Sequence, residues 1–159
     1  MKGVGLLACA ALCACAHLPH LYDMADPLTA SDHFRLGDAY EKQGHQEEAR
    51  RQYERVVTLA PDDPEGWVAL GNNDFSRGDL PGAENNYFRA LKDSPRHAGA
   101  LNNLAMTYLA ENKNLDEAER LAKTALGQKG PLQPYILDTL AKIYEREGRP
   151  PLGEAEASN

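Results

Sequence analysis

The 159 residues are enough for one folded domain and too few for two of ordinary size. Hydrophobic residues make up 42% and charged residues 26%, with one Trp, three Phe and seven Tyr, which excludes a wholly disordered chain and suits a helical protein better than a β-rich one. A net charge of −7 leaves no basic face to neutralise a phosphate backbone, which excludes nucleic acid as the expected partner.

The chain begins with Lys2 followed by an apolar, small-residue run over residues 4–16, the composition of a secretory signal peptide. That run is shorter than the roughly 20 residues a membrane-spanning helix needs. Leu12-Cys13-Ala14-Cys15 resembles the bacterial lipobox, and the resemblance implies removal of residues 1–14 and acylation of Cys15. Leu6-Leu7-Ala8-Cys9 has a similar pattern but leaves little room for a signal peptide before its cysteine. Ordinary cleavage after Ala14-Cys15-Ala16, an Ala-x-Ala-like site, stays open and would release a soluble periplasmic protein. With Ala16 following Cys15, the lipoprotein resemblance implies an outer-membrane lipoprotein facing the periplasm, touching the membrane through its acyl chains alone. The three cysteines, Cys9, Cys13 and Cys15, all lie in this leader, so neither a disulfide framework nor a thiolate metal site is expected downstream.

Residues 15–29 carry Pro19 and Pro27 without an apolar period and read as an extended tether. His17, His20 and Asp23 are close in sequence, but a metal site needs ligands held by a rigid surround, so a solvated linker is the expectation.

From residue 30 the chain repeats. Leu36-Gly37 recurs as Leu70-Gly71 and Leu104-Ala105, each time 34 residues on, and Ala49, Tyr53 and Pro61 recur as Ala83, Tyr87 and Pro95. A fourth echo, Leu140-Ala141, comes two residues late, which places small insertions near Asn112–Asn114 and between Gly127 and Pro134. Leu36, Tyr40, Tyr53, Val56 and Val57 fall at helical three- and four-residue spacings, so each unit is expected to bury a stripe between two antiparallel helices. Small residues mark where helix axes approach: Gly37, Gly71, Ala105 and Ala141 are expected to face Ala49, Ala83 and Ala118. Gly44 and Gly78 supply the turns, and Pro61, Pro95 and Pro131 are expected to stop each second helix.

This pattern resembles the tetratricopeptide repeat, a helix–turn–helix unit of about 34 residues. The second unit matches it at Trp67, Leu70, Gly71, Gly78, Ala83, Tyr87, Ala90 and Pro95. The resemblance implies an all-α solenoid with repeats at 30–63, 64–97 and 98–133, a capping helix at 134–148 within a 30–149 domain, and a disordered tail at 150–159. His33 stands where the family favours Trp, which is expected to weaken the first unit, and Asp74 stands where Tyr is usual. Lys142, Glu145, Arg146 and Glu147 are expected to give the lone last helix a polar outer face.

In such arrays the first helices of successive units line a concave groove for a protein or peptide ligand. Carried over by repeat position, the groove residues are Phe34, Asp38, Glu41, Val68, Asn72, Phe75, Asn102, Met106, Leu109, Tyr135, Asp138 and Lys142, with an apolar centre at Val68, Phe75, Met106 and Leu109. Phe75 admits two readings, an anchor for a partner's side chain or a core residue filling the place left by Asp74. Asn72, Asn73, Asn102 and Asn103 likewise are either amides for a peptide backbone or the family's habit before its small residue. The carboxylate-clamp subset of the family needs cationic residues beside its asparagines; Asn72 and Asn103 fit, but Val68, Tyr135 and Thr139 stand elsewhere in the set, which argues against that ligand.

No nucleophile elbow, phosphate loop, paired histidines or rigid carboxylate pair is present, so no enzyme, cofactor or metal is expected. Glu47-Glu48 and Asp116-Glu117 suit the starts of second helices. The expected function is a lipid-anchored periplasmic adaptor for an envelope complex, resembling the pilotin-type tetratricopeptide lipoproteins that help assemble the type IV pilus secretin. A docking platform for cell-wall hydrolases, or an accessory subunit of an exopolysaccharide or cytochrome-assembly apparatus, is the alternative.

Overall fold

A computed structural model describes residues 26–150, among which there are seven helices and no strand. The expected signal peptide, Cys9, Cys15 and most of the tether and tail lie outside these residues. The helices are α1 (Ala30–Lys42), α2 (Gln46–Leu59), α3 (Pro64–Ser76), α4 (Leu80–Asp93), α5 (Ala98–Glu111), α6 (Leu115–Leu126) and α7 (Gln133–Arg146). Packing is closest within α1/α2, α3/α4 and α5/α6, and each pair leans on the next. First helices also meet one another, α3 with α5 and α5 with α7. The result is an all-α solenoid of three helix–turn–helix repeats plus a capping helix.

Helix starts follow local chemistry. Thr29 and Asp32 form a reciprocal capping box at α1. Asp63 and Asp79 cap α3 and α4, each just ahead of a proline in the first turn, where no backbone donor is missed. Gly44 and Gly78 take positive φ at 79° and 80° in the turns within the first two units. In the third unit Asn112, at the same repeat position, adopts the left-handed conformation with φ 52°, and the inserted Asn114 follows with φ 49°.

The close approach within a unit differs from the expectation. A Cβ on Gly37 would lie 2.6 Å from the Tyr53 ring, and one on Gly71 would lie 2.6 Å from Tyr87. The glycine thus makes room for a tyrosine on the second helix, not for the alanine. In the third unit the exchange is reciprocal: Ala105 replaces glycine, Ala122 replaces tyrosine, and both are fully buried in one cluster. Ala141 has no second helix opposite it among the described residues and is exposed. Pro61 and Pro95 do follow the ends of α2 and α4 closely, but α6 stops at Leu126, well before Pro131.

The substituted positions are also occupied differently. His33 is buried, with Nδ1 2.8 Å from Gln52 Oε1 on α2 and Nε2 3.0 Å from Asp26 Oδ2 ahead of α1. Asp74 is buried as well. Its carboxylate accepts from Arg50 Nε at 3.2 Å and Asn86 Nδ2 at 2.8 Å, which joins α2, α3 and α4. No vacancy exists there for Phe75. The main apolar core lies further on, where Tyr87, Leu104, Tyr108, Leu121, Ile136, Leu140 and Ile143 lock α4 through α7.

Candidate partner groove

Because α3, α5 and α7 are first helices of successive units and touch one another, their exposed sides share one surface. It holds an open cavity of about 640 Å³. Glu65, Val68 and Asn72 form the α3 wall; Asn102, Asn103 and Met106 form the floor on α5; Tyr135, Asp138 and Thr139 form the α7 wall. His97, Ala98, Gly99 and Leu132 close the end where α5 and α7 begin. A smaller recess of about 190 Å³ adjoins it, bounded by Asn72, Phe75, Ser76, Tyr87, Asn103 and Met106.

A polar relay crosses the floor. Burial and the nearby Asp74 carboxylate raise the Tyr87 hydroxyl above the ordinary phenol value, so it keeps its proton at neutral pH. It donates to Asn72 Oδ1 at 2.9 Å, and Asn103 Nδ2 donates to the same oxygen at 2.8 Å. Asn102 Nδ2 in turn donates to Asn103 Oδ1 at 3.3 Å. The relay ends on Asn102 Oδ1, a buried acceptor with no hydrogen-bond partner. Leaving such a group unpaired costs about 1–3 kcal/mol.

At the closed end, His97 caps α5 with its ring: Nδ1 accepts from the Ala100 backbone N–H at 3.1 Å, while Nε2 lies 2.9 Å from Glu65 Oε1. A ring nitrogen that accepts carries no proton, so Nε2–H is the donor to Glu65 and the ring in this arrangement is neutral. Hence the Glu65 carboxylate is hydrogen-bonded without being neutralised. Asp138, on the opposite wall, pairs with Lys142 at 2.6 Å in an exposed contact one helical turn along. The cavity lining contains no lysine or arginine.

Of the residues expected in the groove, Val68, Asn72, Asn102, Met106, Tyr135 and Asp138 line this cavity together. Phe75 is half-buried against the main core and opens onto the adjoining recess, without filling the place of Asp74. Val68 and Leu109 are core residues with only an edge free, and Leu109 faces a separate recess shared with Lys142, Glu145 and Arg146. The expected apolar centre is therefore split. Phe34 lines a recess at the α1 end, Asp38 pairs with Lys42 at 2.6 Å, and Glu41 accepts from the Tyr53 hydroxyl at 2.9 Å; none of the three belongs to the cavity. Asn73 is not a groove amide. It is fully buried and donates to Gln46 O and Oε1, fastening α3 to the start of α2.

Glu65, His97 and Leu132 escape a reading by repeat position, since they sit in the first turn of a helix or just ahead of one, outside the repeated groove positions. The usable signal was chemical. Asp63 and His97 both precede helices as side-chain caps, so the residues around them had to be ordered. Among the described residues no group of three or more His, Cys, Asp or Glu is placed to hold a metal ion. No described helix is long and apolar enough to cross a membrane.

Known proteins share this architecture. The chain is 33% identical over 112 residues to a protein CTR9 homolog of Arabidopsis thaliana, a match that covers 67% of this chain and 10% of that protein. It thus spans about a tenth of that relative's length. Among solved structures, the first repeat domain of Spaghetti (RPAP3) bound to the HSP90 peptide SRMEEVD superposes with a TM-score of 0.71 at 21% identity, over 76% of this chain and 96% of that one. MamA gives 0.68 at 22% identity over 78% and 71%, and the TPR2B domain of yeast Sti1 in its pHsp70 complex gives 0.69 at 17% over 74% and 97%. At these identities the likeness shows the fold. Profiles of the tetratricopeptide repeat match residues 30–63 and 68–134. The repeats read from the sequence and the helix pairs of the structure agree with those matches, and the chain belongs to the tetratricopeptide-repeat family, whose arrays serve as protein–protein interaction scaffolds.

Proposed function

We infer that this protein is a non-catalytic scaffold that holds a protein or peptide segment in the cavity between α3, α5 and α7. The observation that carries the reading is the cavity itself: about 640 Å³, open to solvent, floored by the Asn102 and Asn103 amides and Met106 and walled by Val68 and Tyr135. Such a mixture gives apolar contact together with hydrogen bonds for an extended backbone. Similar arrays are seen in RPAP3 bound to an HSP90 peptide and in the Sti1 complex with pHsp70, which supports a protein or peptide partner. Tyr135, 68% exposed on the rim, is the natural anchor.

A photo-crosslinking residue in place of Tyr135, compared with one in place of Phe88 on α4, tests the assignment. Phe88 is 49% exposed and lies outside the cavity. Discrete protein adducts are expected from position 135 and not from position 88; the reverse pattern would move the docking face to the second helices.

The setting we propose is the bacterial envelope, with the chain anchored through Cys15 as an outer-membrane lipoprotein and acting as an adaptor in assembly of a pilus- or secretin-type complex. Support comes from the Lys2 and apolar leader and the Leu12-Cys13-Ala14-Cys15 motif. Metabolic labelling with palmitate is expected to mark the wild type and not Cys15→Ala. Label that persisted in Cys15→Ala and vanished in Cys9→Ala would shift the anchor, and no label in the wild type would remove it.

A further inference from the structure

We propose that the cavity selects a peptide segment bearing a lysine or arginine, the opposite of an acidic or carboxylate-terminated ligand. The inference rests on the cavity being the docking surface and names what it takes. Two carboxylates, Glu65 and Asp138, stand on facing walls, and no lysine or arginine lines the space between them. The Glu65 charge is not neutralised, because its partner His97 donates from Nε2–H while Nδ1 serves as the cap of α5. Lys142 is the only cation on Asp138 among the described residues, and that pair is exposed on both sides, so an incoming cation can replace it at small cost.

A guanidinium or ammonium brings several N–H donors and no acceptor, which matches two carboxylates. An anionic ligand meets the reverse of what it needs, since each carboxylate repels it and nothing cationic repays its desolvation. The clamp positions filled by Val68, Tyr135 and Thr139 belong to the same argument: apolar and hydroxyl groups there can pack on the stem of a long basic side chain. The net charge of −7 steers a basic segment toward the molecule at a distance.

The test is selection of a phage-displayed random-peptide library on the full chain, with the recovered clones titrated by fluorescence anisotropy. Lysine- or arginine-bearing clones are expected to dominate. Glu65→Gln with Asp138→Asn is expected to weaken them about ten-fold or more. The amide oxygen that Glu65→Gln introduces can still accept from His97, so the fold is retained, and a thermal melt checks it. Raising sodium chloride from about 0.05 to about 0.5 M is expected to weaken the wild type in the same direction. Met106→Trp, which fills the floor without changing charge, is expected to block the same clones. Acidic or uncharged clones that Met106→Trp blocks, with no loss in the double variant, would overturn the charge selection and keep the groove. Clones indifferent to Met106→Trp would overturn both.

Discussion

Gly71 and Tyr87 contest one space, and the glycine is what lets the tyrosine ring lie between α3 and α4. An added methyl at position 71 has to push that ring aside, so Gly71→Ala is expected to destabilise the protein by about 1–3 kcal/mol in urea titration. Most of that cost should vanish in a Tyr87→Ala background, where the pair becomes the Ala105 and Ala122 arrangement of the third unit. Asp74 is the opposite case, a polar group whose partners lie far off in sequence. Asp74→Ala is expected to cost about 1–3 kcal/mol by stranding Asn86 and Arg50, whereas Glu54→Ala, on the exposed side of Arg50, should change little. Small residues could be located from the sequence because a period repeats them. What they face could not, since a glycine and its tyrosine sit on different helices and size complementarity appears only when the two are packed. Asp74 was visible as a departure from the pattern, but its arginine and asparagine belong to neighbouring helices, and nothing local announces them.

The helices were legible from their period, and three of them also carry their own start chemistry, Thr29 with Asp32, Asp63 with Pro64 and Asp79 with Pro81, with Gly44 and Gly78 in the turns. The end of α6 was less so, as Pro131 drew attention away from an earlier stop at Gly127. The outer face of α7 was read as polar, and Lys142, Glu145 and Arg146 are exposed, with Leu137, 44% exposed, and Ala141 beside them. Charge also fastens one end of the helix. Glu119 on α6 accepts from Tyr144 at 2.7 Å and from Arg149 at 2.6 Å, and also pairs with Lys123, while the Arg149 guanidinium lies 4.0 Å from the Tyr144 ring centre. The hydrogen bonds from Arg149, joined by those from Lys123 and Tyr144, hold the Glu119 carboxyl at about 2, below its ordinary 4.5. A carboxylate with a depressed folded value stabilises the fold above its unfolded value and loses that contribution as pH falls toward the folded one. Acid is therefore expected to loosen α7 between about pH 4.5 and 2. Glu119→Gln should be less stable than the wild type at neutral pH and show a flatter decline over that window, measured by urea titration.

For the molecule as a whole, a period of 34 residues translates into a row of first helices, and that row is what makes a groove. Periodicity named Val68, Asn72, Asn102, Met106, Tyr135 and Asp138 as neighbours, since equivalent positions of stacked units must align. It also placed Phe34, Asp38 and Glu41 on that row; these three lie outside the cavity lined by α3, α5 and α7, with Asp38 paired to Lys42 and Glu41 to the Tyr53 hydroxyl. The chemistry of the cavity's closed end lay beyond periodicity altogether, because Glu65 and His97 meet only once two units stack. Hydrogen exchange on the full chain, with and without a peptide recovered by selection, tests the central claim most directly. Slowed exchange is predicted at the exposed termini of α3, α5 and α7, with α2, α4 and α6 unchanged. Slowing confined to α2, α4 and α6 would contradict the account.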